Sequence, residues 1–275
     1  MEQEFYYVWL SIIPNMGYKL LERLLKRYNV KGVKELYELK EAKDIFNGRY
    51  KLEAIKMYKK LKENNIQIIH LENEYYPDNL KCIYSPPLVL YGKGNIELLK
   101  KNKKVAIVGS REASEYGKKS SFALGKKLSN NNTVIVSGLA KGIDEYSHIG
   151  ACENNMANTI AVIGTGLDKC YPPGNKYLER RILEKKGLIL SEFVLGIGPQ
   201  KHHFPMRNRI IAGIANSLIV VEAKKNSGSM ITVDLMLEEG KEVFVVPGPV
   251  GDSRYEGTNR LIKDGANVLL DIREF

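Results

Sequence analysis

KKVAIVGSR, residues 103–111, is the stretch that decides the fold of this chain. Its residues 105–109 are apolar or small without polar alternation, which is typical of a strand buried on both faces of a parallel sheet. Ser110 and Arg111 follow at the carboxyl end of that strand. Ligands of open α/β sheets bind at this end, against helix N-termini that favour anions. We therefore expect Arg111 to face a ligand that carries phosphate.

Strands and helices alternate in the sequence that follows. Ser114 is a suitable N-cap for a helix from about Glu115 to Leu128. Further apolar runs, separated by helical patterns, are TVIVSG (133–138), TIAVIGTG (159–166), LILSEF (188–193), SLIVVEA (217–223), EVFVVPG (242–248) and NVLLD (267–271). Because such alternation builds right-handed βαβ units, the sequence predicts an α/β fold, a Rossmann-like parallel sheet with helices on both faces.

Residues 5–70 have a helical pattern instead. LSIIPNMGYKLL (10–21) predicts a turn between two helices and resembles a helix-hairpin-helix or SAM-like unit, although a bundle that merely packs on its neighbour would look the same. The prolines of residues 75–94 favour a linker with an edge strand at Leu88 to Tyr91. We place a domain boundary near residue 75, between an all-α domain (1–74) and the Rossmann-like domain (75–275).

Composition favours a polyanionic partner. The chain holds 42 Lys and Arg against 32 Asp and Glu, a formal charge of +10, which favours nucleic acid first and an anionic membrane second. Lysine-rich composition that serves solubility is the competing interpretation. Cys82, Cys152 and Cys170 lack CxxC spacing, so the sequence predicts neither a disulfide framework nor a zinc site.

The sequence does not indicate export or membrane insertion. The start MEQE is acidic, and no apolar run approaches the roughly 20 residues that span a bilayer. We therefore expect a cytoplasmic protein that makes no membrane contact.

Cofactor and catalytic motifs are incomplete. GTGLDK (164–169) has Lys169 where a dinucleotide fingerprint needs its third glycine, and GKKS (117–120) has Glu112 where a Walker loop needs its first. The sequence contains no GxSxG elbow and no HExxH helix. His148 is expected to be a hydrogen-bonded helix residue rather than a base. We predict no cofactor, no metal and no enzymatic activity.

The strand-end loops instead carry glycine, hydroxyl and cationic residues, which suit a nucleic acid backbone, and Phe204 could stack on a base. The predicted DNA contacts are Gly109, Ser110, Arg111, Gly164, Thr165, Gly166, Lys176, Lys201, Phe204, Arg207, Asn208, Arg209, Ser227, Gly228 and Ser229. Arg207 or Arg209 could instead clamp its helix to Glu222 or Glu192.

Seven motifs together resemble the DprA (Smf) family of DNA-processing proteins. They are GSR (109–111), SGLAKGID (137–144), GTGLDKCYPPGN (164–175), FPMRNRIIAG (204–213), NSGSMIT (226–232), VPG (246–248) and EGTNRLIKDGA (256–266). The resemblance implies a non-enzymatic protein that binds single-stranded DNA, forms a homodimer and helps load the RecA recombinase in natural transformation. It places the motif arginine at Arg111, the pocket lysine and aromatic at Lys201 and Phe204, and the glycine loop at 164–166, with Lys176 as a further basic candidate.

The sequence departs from the family pattern at two points and leaves two alternative functions open. Thr258 stands where a cysteine is common in the family, and the winged-helix domain that some members carry would lie beyond Phe275. One alternative is an enzyme related to nucleoside-monophosphate phosphoribohydrolases, although PGPVGDSRYEGTN (247–259) lacks the second glycine and the glutamate of their loop. The other is a recombinase-loading scaffold whose DNA contact is secondary.

Overall fold

A nine-stranded sheet forms the centre of the molecule, as seen in a computed structural model that describes residues 2–39 and 48–274. The strands are β1 (Gln67–His70), β2 (Val89–Gly94), β3 (Lys104–Val108), β4 (Val134–Ser137), β5 (Thr159–Ile163), β6 (Leu188–Ser191), β7 (Ser217–Val220), β8 (Glu242–Val245) and β9 (Asn267–Val268). Their order is β1-β2-β6-β5-β4-β3-β7-β8-β9. The strands from β6 to β9 in this order pair in parallel, whereas β2 pairs antiparallel with both β6 and β1.

Helices cover both faces of this sheet, which confirms the predicted α/β class. They are α1 (Gln3–Ser11), α2 (Tyr18–Tyr28), α3 (Val33–Glu38), α4 (Gly48–Glu63), α5 (Asp78–Lys81), α6 (Glu115–Asn130), α7 (Ile143–Ala151), α8 (Lys176–Glu184), α9 (His203–Ile214), α10 (Gly228–Glu238) and α11 (Glu256–Lys263). Helices α5, α9 and α10 pack on one face and α6 and α7 on the other. None of the helices in the described ranges is both long and apolar enough to cross a bilayer.

The N-terminal helices share a core with the sheet. Trp9 of α1 is fully buried in a cluster that also contains Tyr91 of β2, Ile189 of β6 and Leu178 of α8. The predicted turn between α1 and α2 is present, with Asn15 at a φ of 60°. Residues 40–47, which fall within the predicted helical region, lie outside the described residues.

Two details of the sequence prediction are wrong. Residues 67–70 are strand β1 and not helix, so the sheet begins before residue 75, and the division into two domains stays a prediction. The strand expected at the sheet edge, β2, lies between β1 and β6. Pro86 and Pro87 precede β2, so they leave its ladder of hydrogen bonds intact.

Helices α6 and α7 pack with their backbones in contact. A Cβ on Gly125 would lie 2.1 Å from the Ser147 carbonyl oxygen, and a Cβ on Gly150 would lie 2.1 Å from that of Phe122. Only glycine fits such an approach. The two helices are therefore packed tightly against each other.

Strands β3 to β7 all end at one edge of the sheet, here called the carboxyl edge. Between β3 and β7 the chain order changes direction, since β4, β5 and β6 extend to one side and β8 and β9 to the other. Doubly wound sheets bind ligands at such a point. The candidate DNA contacts of the β3, β5, β6 and β7 loops are all attached to this edge.

Candidate nucleic-acid interface

Two aromatic rings and a guanidinium group meet at the carboxyl edge. The Arg111 Cζ lies 5.3 Å from the centroid of the Phe204 ring, and the Tyr171 ring centroid lies 5.4 Å from the same centroid. Arg111 and Tyr171 are exposed and Phe204 is half-buried. These three residues, the Arg111 cluster, come from the loop after β3, the loop after β5 and the first turn of α9. A cation over an aromatic face is a favourable pair in itself, and both groups remain within reach of solvent.

The glycine loop after β5 supports this cluster from below. A Cβ on Gly164 would lie 3.4 Å from Phe204 Cδ1, so the ring rests on the glycine backbone. The Gly164 carbonyl oxygen lies 3.1 Å from His203 Nδ1, which fixes the start of α9. Thr165 is buried, and its hydroxyl donates to the Lys169 carbonyl at 2.5 Å. The hydroxyl of Thr165 is therefore used inside the loop.

Arg207 lies beneath the edge rather than on it. The side chain is buried, and its Nη1 donates to the carbonyl oxygens of Val162, at 2.6 Å, and of Gly138. Burial lowers the pKa of the Arg207 guanidinium to about 10, the nearby Asp144 carboxylate opposes that shift, and Arg111 adds to it. A Cβ on Gly138 would overlap the guanidinium. Arg207 thus joins the ends of β4 and β5 and adds positive charge below the Arg111 cluster.

Arg209 is also bound within the protein. Its Nη2 pairs with the carboxylate of Glu192, and its Nη1 donates to the Ser85 carbonyl at 2.6 Å. Burial raises the pKa of Glu192, and the adjacent Arg209 opposes that shift. The alternative that Arg209 clamps its helix to Glu192 is therefore confirmed. Asn208 accepts a hydrogen bond from Arg207 Nε at 3.0 Å.

A buried carboxylate holds the loop that carries Arg111. The Glu222 side chain, at the end of β7, accepts hydrogen bonds from the Ser114 hydroxyl at 2.6 Å and from the Tyr255 hydroxyl at 2.9 Å. The Ser110 amide donates to the Glu222 carbonyl at 2.7 Å. Because Ser110 and Ser114 flank Arg111, this residue is fixed on both sides by β7. Ser114 also caps α6, as predicted, by accepting from the Gly117 amide.

The remaining candidates are distributed along the same edge. Lys201 is exposed in the turn that precedes Phe204, and Lys176 is exposed at the start of α8. Ser227 precedes α10 without capping it through its side chain, which instead lies 2.5 Å from the Ser229 hydroxyl. Gly109 packs against Glu222, where a Cβ would lie 2.8 Å from the carbonyl oxygen.

The sequence prediction missed two parts of this site. Tyr171 was not among the predicted contacts, although its place beside Pro172 in the YPP element after a strand-end glycine loop was an available signal. For Glu222 the sequence suggests a general base, a helix cap or a partner for an arginine. Its actual partners, Ser114 and Tyr255, lie far from it in sequence, and no local pattern connects the three.

The histidine, cysteine and acidic side chains of the described residues do not form a metal site. Within residues 2–39 and 48–274, no three His, Cys, Asp or Glu residues are arranged to hold a metal ion. His148 is fully buried, and its Nδ1 lies 2.7 Å from the Thr159 hydroxyl, as a structural histidine would. In the loop compared with phosphoribohydrolases, the Tyr255 ring covers Gly248, where a Cβ would lie 2.0 Å from Tyr255 Cδ1.

The family model for DNA recombination-mediator protein A matches residues 67–275. This chain belongs to that family. DNA processing protein DprA of Streptococcus pneumoniae is 49% identical over 197 residues, which are 72% of this chain and 68% of the relative. DprA of Bacillus subtilis is 43% identical over 208 residues, covering 76% of this chain and 69% of that protein.

Solved structures of DprA proteins have the same fold. The X-ray structure of DNA processing protein A from S. pneumoniae aligns with a TM-score of 0.82 and 36% identity, covering 99% of this chain and 96% of that one. A structure of DNA processing protein A from Helicobacter pylori, which concerns its single-stranded DNA binding mode, aligns with a TM-score of 0.69 and 34% identity over 76% of this chain and 94% of that one. The resemblance to the DprA family noted in the sequence is therefore confirmed.

Proposed function

We propose that this protein binds single-stranded DNA along the carboxyl edge of its sheet, without a chemical step. The observation that carries this proposal is the Arg111 cluster, in which a solvent-exposed guanidinium group and two aromatic rings meet on a glycine loop. Aromatic faces accept any base by stacking, and cations pair with the phosphates between the bases. The single-stranded DNA binding of the H. pylori relative supports the same conclusion.

The predicted contacts divide into two groups by burial. Arg111, Phe204, Lys176 and Lys201 face the solvent and make the DNA contact, and Tyr171 joins them. The Ser110 hydroxyl and the start of α10 (227–229), whose N-cap side chain makes no capping bond, offer hydroxyl and amide groups to phosphates. Arg207, Asn208, Arg209 and Thr165 hold the edge in shape from below.

Binding measurements test this proposal. Fluorescence anisotropy compares single- and double-stranded oligonucleotides of equal length at two ionic strengths. Arg111→Ala is expected to lower the slope of log K against log salt by about 0.7, the value for one phosphate contact on a single strand. Phe204→Ala is expected to cost about 1–3 kcal/mol of binding free energy through lost stacking.

Lys127→Ala provides the matched control. Lys127 is an exposed cation at the far end of α6, the helix that begins after the Arg111 loop. This variant should bind as the wild type does. A slope that is unchanged by Arg111→Ala, or equal affinity for both kinds of oligonucleotide, would contradict the proposal.

The proposal also includes a recombinase partner and a homodimeric state. A family described as recombination mediators supports a role in loading the RecA recombinase onto the bound strand, and the protein would do so as a homodimer. A pull-down of RecA with a doubly substituted Arg111→Ala, Lys201→Ala variant separates recombinase binding from DNA binding. Natural transformation as the setting and the cytoplasm as the location stay predictions.

The enzymatic alternative has a simple test. Incubation with nucleoside monophosphates should release no free base, because the Tyr255 ring occupies the space over Gly248. Detection of free base would support the phosphoribohydrolase interpretation instead.

A further inference from the structure

An exposed tyrosine lies outside the Arg111 cluster and has no role in the function proposed above. Tyr84, in the loop before β2, is 84% exposed. Lys19 of α2 places its Nζ 3.4 Å from the centroid of the Tyr84 ring. A large aromatic side chain gains little by being left in water, whereas an exposed ring beside a cation is the arrangement on which an unpaired base can stack.

The pair lies along the carboxyl edge. Tyr91 of β2 is opposite Ser191 of β6, and the two strands are antiparallel, so the residues before β2 lie where β6 ends. Strand β2 is two strands from β5, whose loop supports Phe204. At about 4.8 Å per strand, β2 and β5 are roughly 10 Å apart. Tyr84 is therefore in a loop at the same edge of the sheet as the Arg111 cluster.

Arg209 links the loop of Tyr84 to the helix of Phe204. Its Nη1 donates to the carbonyl of Ser85, the residue next to Tyr84, and its Nη2 pairs with Glu192 at the end of β6. Arg209 and Phe204 are on the same helix, α9. The loop of Tyr84 is thus anchored to the helix that carries the central ring of the Arg111 cluster.

Helix α2 continues this surface with positive charge. Lys19, Arg23, Lys26 and Arg27 are exposed at i, i+4, i+7 and i+8, a spacing that puts them on one face of the helix. None of the four forms an ion pair within the described part of the chain. Unpaired cations in a row attract a polyanion.

We propose that Tyr84 and Lys19 form a second contact for the same DNA strand, which continues past the Arg111 cluster onto the basic face of α2. This inference rests on the proposed function and adds the N-terminal helices to the binding surface. The ligand is a phosphodiester chain with unpaired bases, because the pair offers one stacking face and one cation. It follows that the contact operates only on strands long enough to reach it.

Oligonucleotide length provides the test. Unstructured oligonucleotides of about 3 and about 25 nucleotides lie below and above the roughly 4–16 nucleotides that one OB-fold stacking platform covers. In fluorescence anisotropy, Tyr84→Ala should weaken binding of the long strand at least about fivefold and leave the short strand within about twofold. Lys19→Ala should lower the salt slope by about 0.7 for the long strand alone.

A similar pair elsewhere in the protein provides the control. Lys100 Nζ lies 3.8 Å from the centroid of the Tyr75 ring, and the Tyr75 hydroxyl donates to Glu97, which follows β2. This pair is at the opposite edge of the sheet. Tyr75→Ala should bind both lengths as the wild type does, and urea unfolding should show that Tyr84→Ala leaves the fold intact.

The possible outcomes separate the two proposals. If Arg111→Ala weakens both lengths and Tyr84→Ala weakens neither, the second contact is refuted and the proposed function stands. The basic face of α2 would then be available to an acidic protein surface instead. Equal weakening of both lengths by Tyr84→Ala also refutes the second contact, and absence of binding at both lengths refutes both proposals.

Discussion

Three arginines that the sequence predicts as DNA contacts have different environments in the folded chain. Arg111 is exposed against Phe204, Arg209 pairs with Glu192, and Arg207 is buried against two strand-end carbonyls. Residue type and position in a strand-end loop were enough to predict that arginines gather here. Which carbonyl oxygens surround each guanidinium depends on tertiary packing, and the sequence contains no local signal for it.

Arg207→Ala is expected to destabilise the fold strongly. The substitution removes the donor from the Gly138 and Val162 carbonyls and the cation near the buried Asp144, so the free energy of unfolding should fall by about 3–5 kcal/mol. Urea denaturation measures it. Arg111→Ala, at an exposed position, should change stability by less than about 0.5 kcal/mol. An Arg207→Ala variant as stable as the wild type would show that Arg207 has no structural role.

His148 should make the protein sensitive to acid. The Thr159 hydroxyl donates to the Ile135 carbonyl, so it accepts from His148 Nδ1–H, and the buried Nε2 has no partner in the described structure. Burial lowers the pKa of His148 from 6.5 to about 3. Between these values the unfolded chain binds more protons, so the free energy of unfolding falls as pH decreases, by up to about 1.4 kcal/mol per pH unit.

His148→Phe tests this dependence. The variant should lose stability less steeply than the wild type between about pH 6.5 and about pH 4, as measured by urea unfolding. His202→Phe, at an exposed position, should keep the wild-type steepness. Parallel curves for His148→Phe and the wild type would mean that other groups cause the acid sensitivity.

The elements of the parallel sheet were predictable because each strand is a continuous apolar run followed by a helical pattern. Strand β1 was not, since QIIH contains only two apolar residues and begins four residues after the end of a helix. Its signal was present in Asn65, which has a φ of 52° just after α4 and marks the end of the helix. The position of β2 inside the sheet could not be foreseen, because the partner of a strand is not encoded locally.

The loop between β3 and α6 is expected to depend on Glu222. Glu222→Ala removes the acceptor for Ser114 and Tyr255, so it should cost about 1–3 kcal/mol of stability. The affinity for single-stranded DNA should also fall, because Arg111 loses its fixed position. The salt slope should stay unchanged, since the number of cations is the same. A slope lowered as far as that of Arg111→Ala would instead show that Arg111 no longer reaches its phosphate once Glu222 is removed.

The molecule as a whole is expected to unfold as one unit. Trp9, the single tryptophan of the chain, is buried in a core to which both the N-terminal helices and the sheet contribute. Trp9 fluorescence and far-UV ellipticity should therefore give the same midpoint in urea, because neither part can lose that core alone. A fluorescence transition at lower urea than the ellipticity transition would show that residues 1–74 form an independent domain, as the sequence analysis proposed.

The backbone contact between α6 and α7 also makes the proposed DNA site more rigid. Helix α6 begins directly after the loop of Arg111, and α7 follows the loop of Gly138, whose carbonyl oxygen binds Arg207. Since Gly125 and Gly150 leave no side chain between the helices, neither can slide without the other. Under the proposed function, a strand that pulls on Arg111 would meet the resistance of two helices and not of one flexible loop, so the edge would receive DNA in the shape that it already has.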